Sequence, residues 1–323
     1  MMTITTRMIA RAATALALAA GAAGCKPDLG SPASLVTGPR VLAVRGTPAE
    51  AYPGTMVAFD VLAIEPDGTI ADPPLGWSFC HIPKPPTVAN AVSNECLDTP
   101  DDAGPAATFM APLPNDGCMT FGPEPPPVKP GQPMIRPRDP DATGGFYQPL
   151  RVTLQVAAGI DTAFELERMT CMLANAPIDV TRTFNMTYTP NNNPLIDHVT
   201  LDPDGTPTPL VGADAVTGAA VAPGATTTLE LGWAGDVPET YPVWDLASRT
   251  LVTHRESLRV SWFASAGSFP KDTTGRGEEE PDLFARNDWT APRESGNAHF
   301  WVVLRDSRGG IDFASFDLLV SNP

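Results

Sequence analysis

The chain has 323 residues and a formal net charge of −16, from 21 basic and 37 acidic side chains. That length holds two ordinary domains with real cores. The acidic balance excludes the basic footprint that nucleic acid or an anionic lipid surface demands. The 37 prolines, against a usual share of roughly 5%, point to strand edges, turns and loops rather than long helices.

Residues 1–25 have the shape of a targeting segment: Arg7 and Arg11 precede a short apolar run around Leu16 and Leu18. That run is too short for a bilayer-spanning helix of about twenty residues. It closes in Ala22-Ala23-Gly24-Cys25, which resembles the lipobox of bacterial lipoproteins. The resemblance implies a lipid on the Cys25 thiol, although Ala22 stands where a leucine is usual. Residues 26–38 are rich in Pro, Ser and Gly, show no apolar period, and read as a flexible tether.

A first domain is expected over 39–190. Residues 40–45 carry Leu42 and Val44 on one side, Tyr52-Pro53-Gly54 turns, and 55–64 forms a strongly apolar strand. Trp77 lies in a short strand. Residues 80–145 are proline-rich, with only 108–112 strand-like. Strand 151–156 points Val152, Leu154 and Val156 inward, and 163–173 suits a strand or a helix. Residues 183–189 alternate again, with Phe184, Met186 and Tyr188 inward, and Asn191-Asn192-Asn193-Pro194 marks the boundary.

The second domain is expected over 195–323, with strands at 196–201, 226–233, 258–264 and 300–304. Leu258, Val260, Trp262 and Ala264 face inward, as do Phe300, Val302 and Leu304. Asp306-Ser307-Arg308-Gly309-Gly310 supplies a hairpin turn, and Ala314, Phe316, Leu318 and Val320 form the inward set of the last strand. Residues 239–253, carrying Trp244, form an insertion, and 267–289 an acidic loop.

Side by side the halves repeat: Pro-Gly before a long strand (Pro53-Gly54, Pro223-Gly224), a Trp strand (Trp77, Trp262), an Ala-Pro step (Ala111-Pro112, Ala291-Pro292), then a long and a closing strand. The closing pair is 184–188 and 316–320. This order predicts an all-β chain of two tandem antiparallel immunoglobulin-like β-sandwiches. The last sixty or so residues resemble bacterial immunoglobulin-like domains of the PKD kind. The whole resembles uncharacterised bacterial envelope lipoproteins of high-GC Gram-negative organisms, a likeness that implies a location in the cell envelope and names no activity; Lys26 after the Cys resembles outer-membrane sorting.

With Cys25 assigned to lipid, Cys80, Cys96, Cys118 and Cys171 remain. An even number in an exported chain implies two disulfides with three connectivities. Local closure of the proline-rich excursion favours Cys80–Cys96 and Cys118–Cys171, and a zinc site is disfavoured because no paired C-x-x-C exists.

His81, His198, His254 and His299 are scattered, and no nucleophile elbow, Walker loop or dinucleotide fingerprint is present. Asp202-Pro203-Asp204-Gly205 is a turn. The densest acids, Glu278, Glu279, Glu280 and Asp282, together with Trp289, make the 267–289 loop the expected ligand contact. Glu278, Glu280 and Asp282 could hold a weak calcium ion; no other cofactor and no catalytic residue is expected. The reading is a non-enzymatic, membrane-anchored binding or structural module of the envelope whose partner is an envelope protein or glycan. The alternatives are a glycan-directed hydrolase using loop carboxylates and a passive subunit of an envelope assembly.

Overall fold

Short period-two apolar runs, separated by prolines and glycines, become an all-β, predominantly antiparallel fold. The computed structural model describes residues 32–69, 76–84, 91–122, 130–131, 142–156, 159–173 and 176–322. The signal segment and Cys25 lie outside the described residues. In the first half, β1 (Arg40–Thr47), β3 (Met56–Ile64) and β5 (Thr108–Pro112) form one sheet. Facing it are β2 (Glu50–Ala51), β4 (Gly76–Phe79), β6 (Gly145–Val156) and β7 (Gly159–Thr170), in the order β2-β7-β6-β4.

In the second half, β8 (Ile196–Leu201), β9 (Thr208–Val211), β11 (Thr226–Trp233) and β16 (Phe284–Thr290) form a sheet in the order β16-β11-β8-β9. Its partner contains β10 (Ala220–Val221), β14 (Leu258–Ala264), β15 (Thr273–Arg276), β17 (Gly296–Asp306) and β18 (Ile311–Val320), ordered β10-β18-β17-β14-β15. The expected insertion is a hairpin of its own, β12 (Thr240–Asp245) and β13 (Thr250–Arg255).

One connectivity serves both halves. The opening strand pairs with the strand that follows the Pro-Gly turn, β1 with β3 and β8 with β11. A two-residue strand runs parallel to the closing strand, β2 beside β7 and β10 beside β18. The Trp strand pairs with the long strand of the closing hairpin, β4 with β6 and β14 with β17.

Each sandwich has its own core around its Trp. Trp77 is fully buried, stacks on Phe109 at 5.7 Å and donates its indole N–H to the Ala106 carbonyl at 2.9 Å. Trp262 is buried equally and donates to Thr274 Oγ1 at 2.8 Å, so neither ring leaves a polar atom unsatisfied. The expected inward residues of β14 and β18 lie in the second core beside Leu229, Leu231 and Phe300. The Cys80–Cys96 and Cys118–Cys171 disulfides are both present, with Cα separations of 5.4 and 5.6 Å.

Four local expectations need correction. Residues 183–189 are not the closing strand: Ile178–Thr187 is a helix in which Phe184 is buried, Met186 is 72% exposed and Phe184 stacks on Tyr188 at 4.7 Å. The closing strand of the first sandwich is β7, whose charged residues had suited a helix equally well. The 267–289 segment is not one loop, since it contains β15 and most of β16. Residues 33–38 are not a free tether. Val36 donates to the Ala264 carbonyl, Ala264 donates to the Ser34 carbonyl, both at 2.9 Å, and Val36 is 1% exposed against Ile64 and Trp301.

That strap marks where the two sandwiches meet, and Ala33–Pro323 is one compact unit. A bulge in β1 between Val41 and Ala43 breaks its alternation. It sends Val44 into the first core and turns Leu42 and Ala43 onto the second sandwich. There Leu42 and Leu62 pack against Phe263, Val303, Ile311 and Phe313. Strand β17 is therefore apolar on both faces, Phe300, Val302 and Leu304 toward its own core and Trp301 and Val303 toward its neighbour. Among the described residues no helix is long and apolar enough to cross a membrane.

Candidate functional site

Beyond the apolar patch, the junction between the sandwiches becomes polar and is built from the boundary tripeptide and the Asp306–Gly310 turn. Each asparagine of the boundary reaches a different partner. Asn191 donates its backbone N–H to Glu50 Oε2 at 2.9 Å and its side-chain amide to both Asp306 oxygens at 3.1 Å. Asn192 donates to Glu239 Oε1 at 2.6 Å, and Asn193 donates to the Gly46 carbonyl at 2.7 Å while accepting from Ile311 N at 2.8 Å. Three consecutive side-chain amides thus tie the first sandwich, the β12–β13 hairpin and the second sandwich together.

Two buried arginines fill the same region. Arg168, 1% exposed, lies 3.2 Å from Glu50 Oε2 and donates to the Tyr147 and Tyr188 hydroxyls. Glu50 also accepts from Thr170 at 2.8 Å and from Tyr188 at 2.7 Å, and burial pushes the Tyr188 phenol up to about 12. Arg308, 3% exposed, donates to Glu256 Oε1 at 2.7 Å, to Glu239 and to the Thr189 carbonyl, and sits 4.7 Å over the Tyr241 ring. Asp306, in the same turn, accepts from Arg308 N and Gly310 N. Burial pushes Asp306 up, and burial with Asp306 nearby pushes Glu256 up to about 7. Arg308 shifts upward as well, under Glu256. The Arg308 guanidinium keeps its charge, because its planar fork is held by several acceptors.

Two further acids face inward from β7. Glu167 is 4% exposed and its Oε1 has no hydrogen-bond partner. It is accommodated because Gly46 on β1 has no side chain; a Cβ there would collide with the carboxyl. Burial first, then Glu165 and Glu50, raise Glu167 well above the usual carboxyl range, and burial raises Glu165 as well. A groove of about 430 Å³ opens beside them, lined by Tyr147, Glu165, Arg259, Arg305 and Ser307 among others. Asp306 also borders it, but both its oxygens are occupied by Asn191, and Glu165 accepts from Leu166 N at 3.1 Å. Two carboxyls therefore border one cleft, each accepting hydrogen bonds from the protein itself.

The residues expected to contact a ligand do not converge. Trp289 is fully buried in β16, edge-on to Phe300 at 4.9 Å, and donates to the Ala266 carbonyl at 3.1 Å. It is a core residue and offers no ligand surface; Gly267, at φ +78°, leaves room for its ring. Trp244 is likewise buried, in β12. Glu278 accepts from Arg255 N at 3.1 Å and pairs with His254 at 2.9 Å, and the backbone donor holds its carboxyl below the usual range. Glu280 accepts from Gly277 N at 2.5 Å, while Glu279 and Asp282 are exposed. Among the described residues no three His, Cys, Asp or Glu side chains come together as a cation would require. The sequence reading missed Glu50, Arg168 and Arg308. Arg168 lies among the alternating charges of β7 and Arg308 inside a turn that composition alone explains, while nothing local marks Glu50.

No protein-family model matches the sequence, and no curated protein is similar to it. Among solved structures the chain is similar to domains 4 and 5 of the S-layer protein SbsC, at 10% identity and a TM-score of 0.20, over 88% of this chain and 100% of that one. It is similar also to dimeric latent PorU from Porphyromonas gingivalis, at 10% identity and a TM-score of 0.20, over 92% of this chain and 21% of that one. The chain thus spans about a fifth of that PorU chain. At such TM-scores neither likeness bears on fold or activity.

Proposed function

We propose that the protein is a non-enzymatic module of a bacterial cell envelope, held at the membrane by acyl chains on Cys25, whose two sandwiches work as one rigid body. The observation that carries this reading is the buried clasp of Glu50, Arg168, Asn191, Glu256 and Arg308, which joins the two halves through charged side chains almost wholly withdrawn from solvent. A buried ion pair adds little net stability over apolar packing but fixes one geometry when fully hydrogen-bonded. Such rigidity suits structural support or the presentation of a binding surface. Two disulfides fit an oxidising compartment outside the cytoplasm.

Each buried CH₂ contributes about 0.8 kcal/mol, so two or more acyl chains on Cys25 hold the protein stably where one does not. The test is fractionation in a Gram-negative host. Wild-type protein is expected in the membrane pellet and Cys25→Ala in the soluble fraction. Equal pelleting of both would reject the anchor. Turnover of a glycan or peptide substrate by the purified protein, lost on neutralising Glu165 or Asp306, would reject the non-enzymatic reading.

A further inference from the structure

The second sandwich presents one row of register partners toward the first. Phe263 opposes Trp301, Ser261 opposes Val303, and Arg259 opposes Arg305. The first two pairs approach or enter the apolar junction, whereas the third faces the 430 Å³ groove. Like charges directly opposite on neighbouring antiparallel strands repel, because their Cβ atoms lie only about 5 Å apart. Neither guanidinium has a carboxylate within ion-pair distance among the described residues; Arg305 donates to the Leu42 carbonyl at 3.1 Å. The pair has no carboxylate in direct contact, and Glu165 attracts Arg305 only from a longer distance. The opposite wall carries Glu165 and the Tyr147 ring, and Ser257 and Ser307 lie at the rim.

We infer that this groove binds the carboxylate of an acidic sugar, with Arg259 and Arg305 as the paired donors. Two planar guanidiniums match a carboxylate through charge-assisted hydrogen bonds and relieve their mutual repulsion when it binds. Glu165 and Asp306 border the same space, so a dianionic phosphate is repelled more strongly than a monoanionic carboxylate. Hydroxyls on Tyr147, Ser257 and Ser307 stand beside the apolar surfaces of the Tyr147 ring and Leu166, which suits a sugar ring with polar edges and an apolar face. The volume lies within the range of about 300–1,000 Å³ typical of small-ligand sites. This inference deepens the binding side of the proposed function. It is independent of the anchor, since groove binding and membrane fractionation fail separately.

The test is calorimetric titration of the detergent-solubilised full chain with digalacturonate, the neutral digalactoside of the same size, and inorganic phosphate. Digalacturonate is expected to bind at least tenfold more tightly than either of the others. Arg259→Ala, an exposed position whose loss leaves the fold intact, is expected to weaken it at least tenfold with an unchanged melting temperature. Arg305→Lys, which keeps charge and bulk, is expected to weaken it less than Arg259→Ala. No heat from digalacturonate, equal affinity for the neutral disaccharide or for phosphate, or an Arg259→Ala variant that binds as wild type would each overturn the assignment.

Discussion

Replacing Arg308 by alanine probes the clasp most sharply. The side chain donates to Glu256 Oε1 at 2.7 Å, to Glu239 and to the Thr189 carbonyl, and lies over Tyr241. Glu256 is 2% exposed, so its removal leaves a buried carboxyl without its cation. Breaking a buried pair in this way costs about 3–5 kcal/mol when the remaining group is charged. Glu256 sits at about 7 with Arg308 beside it and is pushed higher without that cation, so at pH 8 the folded variant must take up a proton that wild type has released, whereas at pH 5 both carry it. At pH 5 the loss shrinks to that of the hydrogen bonds, about 1–3 kcal/mol. Urea unfolding at the two pH values reads both numbers. A loss below about 1 kcal/mol at pH 8, the size of an exposed surface pair, would refute the reasoning, as would a loss independent of pH. Arg308→Lys, which retains charge but not the fork, is expected to fall between wild type and alanine.

Glu167→Gln should raise the melting temperature at pH 8 and leave it unchanged at pH 4. The folded pKa of this carboxyl lies above its unfolded value, so the folded state retains a proton that the unfolded chain releases, and stability falls as pH rises through that window. Glu165, Glu256 and Asp306 shift the same way, so wild-type stability, followed by thermal melts, is expected to decline from pH 5 to pH 8. Trp77→Ala, Trp262→Ala and Trp289→Ala, all fully buried, should each cost about 3–5 kcal/mol in chemical denaturation; a loss at Trp289 as small as at a surface residue would return it to the list of ligand contacts. Removing the Cys80–Cys96 bridge by double serine substitution should cost about 3 kcal/mol, the closure entropy of a loop of roughly fifteen residues.

Strands with an unbroken period of two on the core face were legible in the sequence. Residues 196–201, 226–233 and 258–264 were placed to the residue, even though Phe263 on the other face of the last packs at the junction. Legibility fell where a second surface intruded. Phe184, Met186 and Tyr188 alternate like a strand, but Phe184 and Tyr188 are also four apart, and the helical stack of the two rings over the junction decided the matter. Charges in β7 suggested a helix because Glu165 borders a groove and Glu167 is buried over Gly46, so neither shows the apolar inward position of an ordinary strand. The unbroken run Phe300–Leu304 carried the signal of burial on both faces. Site residues were harder still. A clasp assembled from Glu50, Arg168, Asn191 and Arg308 joins positions up to 258 apart, and no local pattern encodes which charges meet.

The central claim is that two sandwiches form one rigid body. Pulsed spin-label distance measurement between Met56→Cys on β3 and Leu319→Cys on β18, in a Cys25→Ala background, tests it directly, since both positions are solvent-exposed strand residues on different sandwiches. The account predicts one narrow distance distribution, unchanged between low and high salt because the clasp is shielded from solvent. A broad or bimodal distribution, or one that widens with salt, would contradict it.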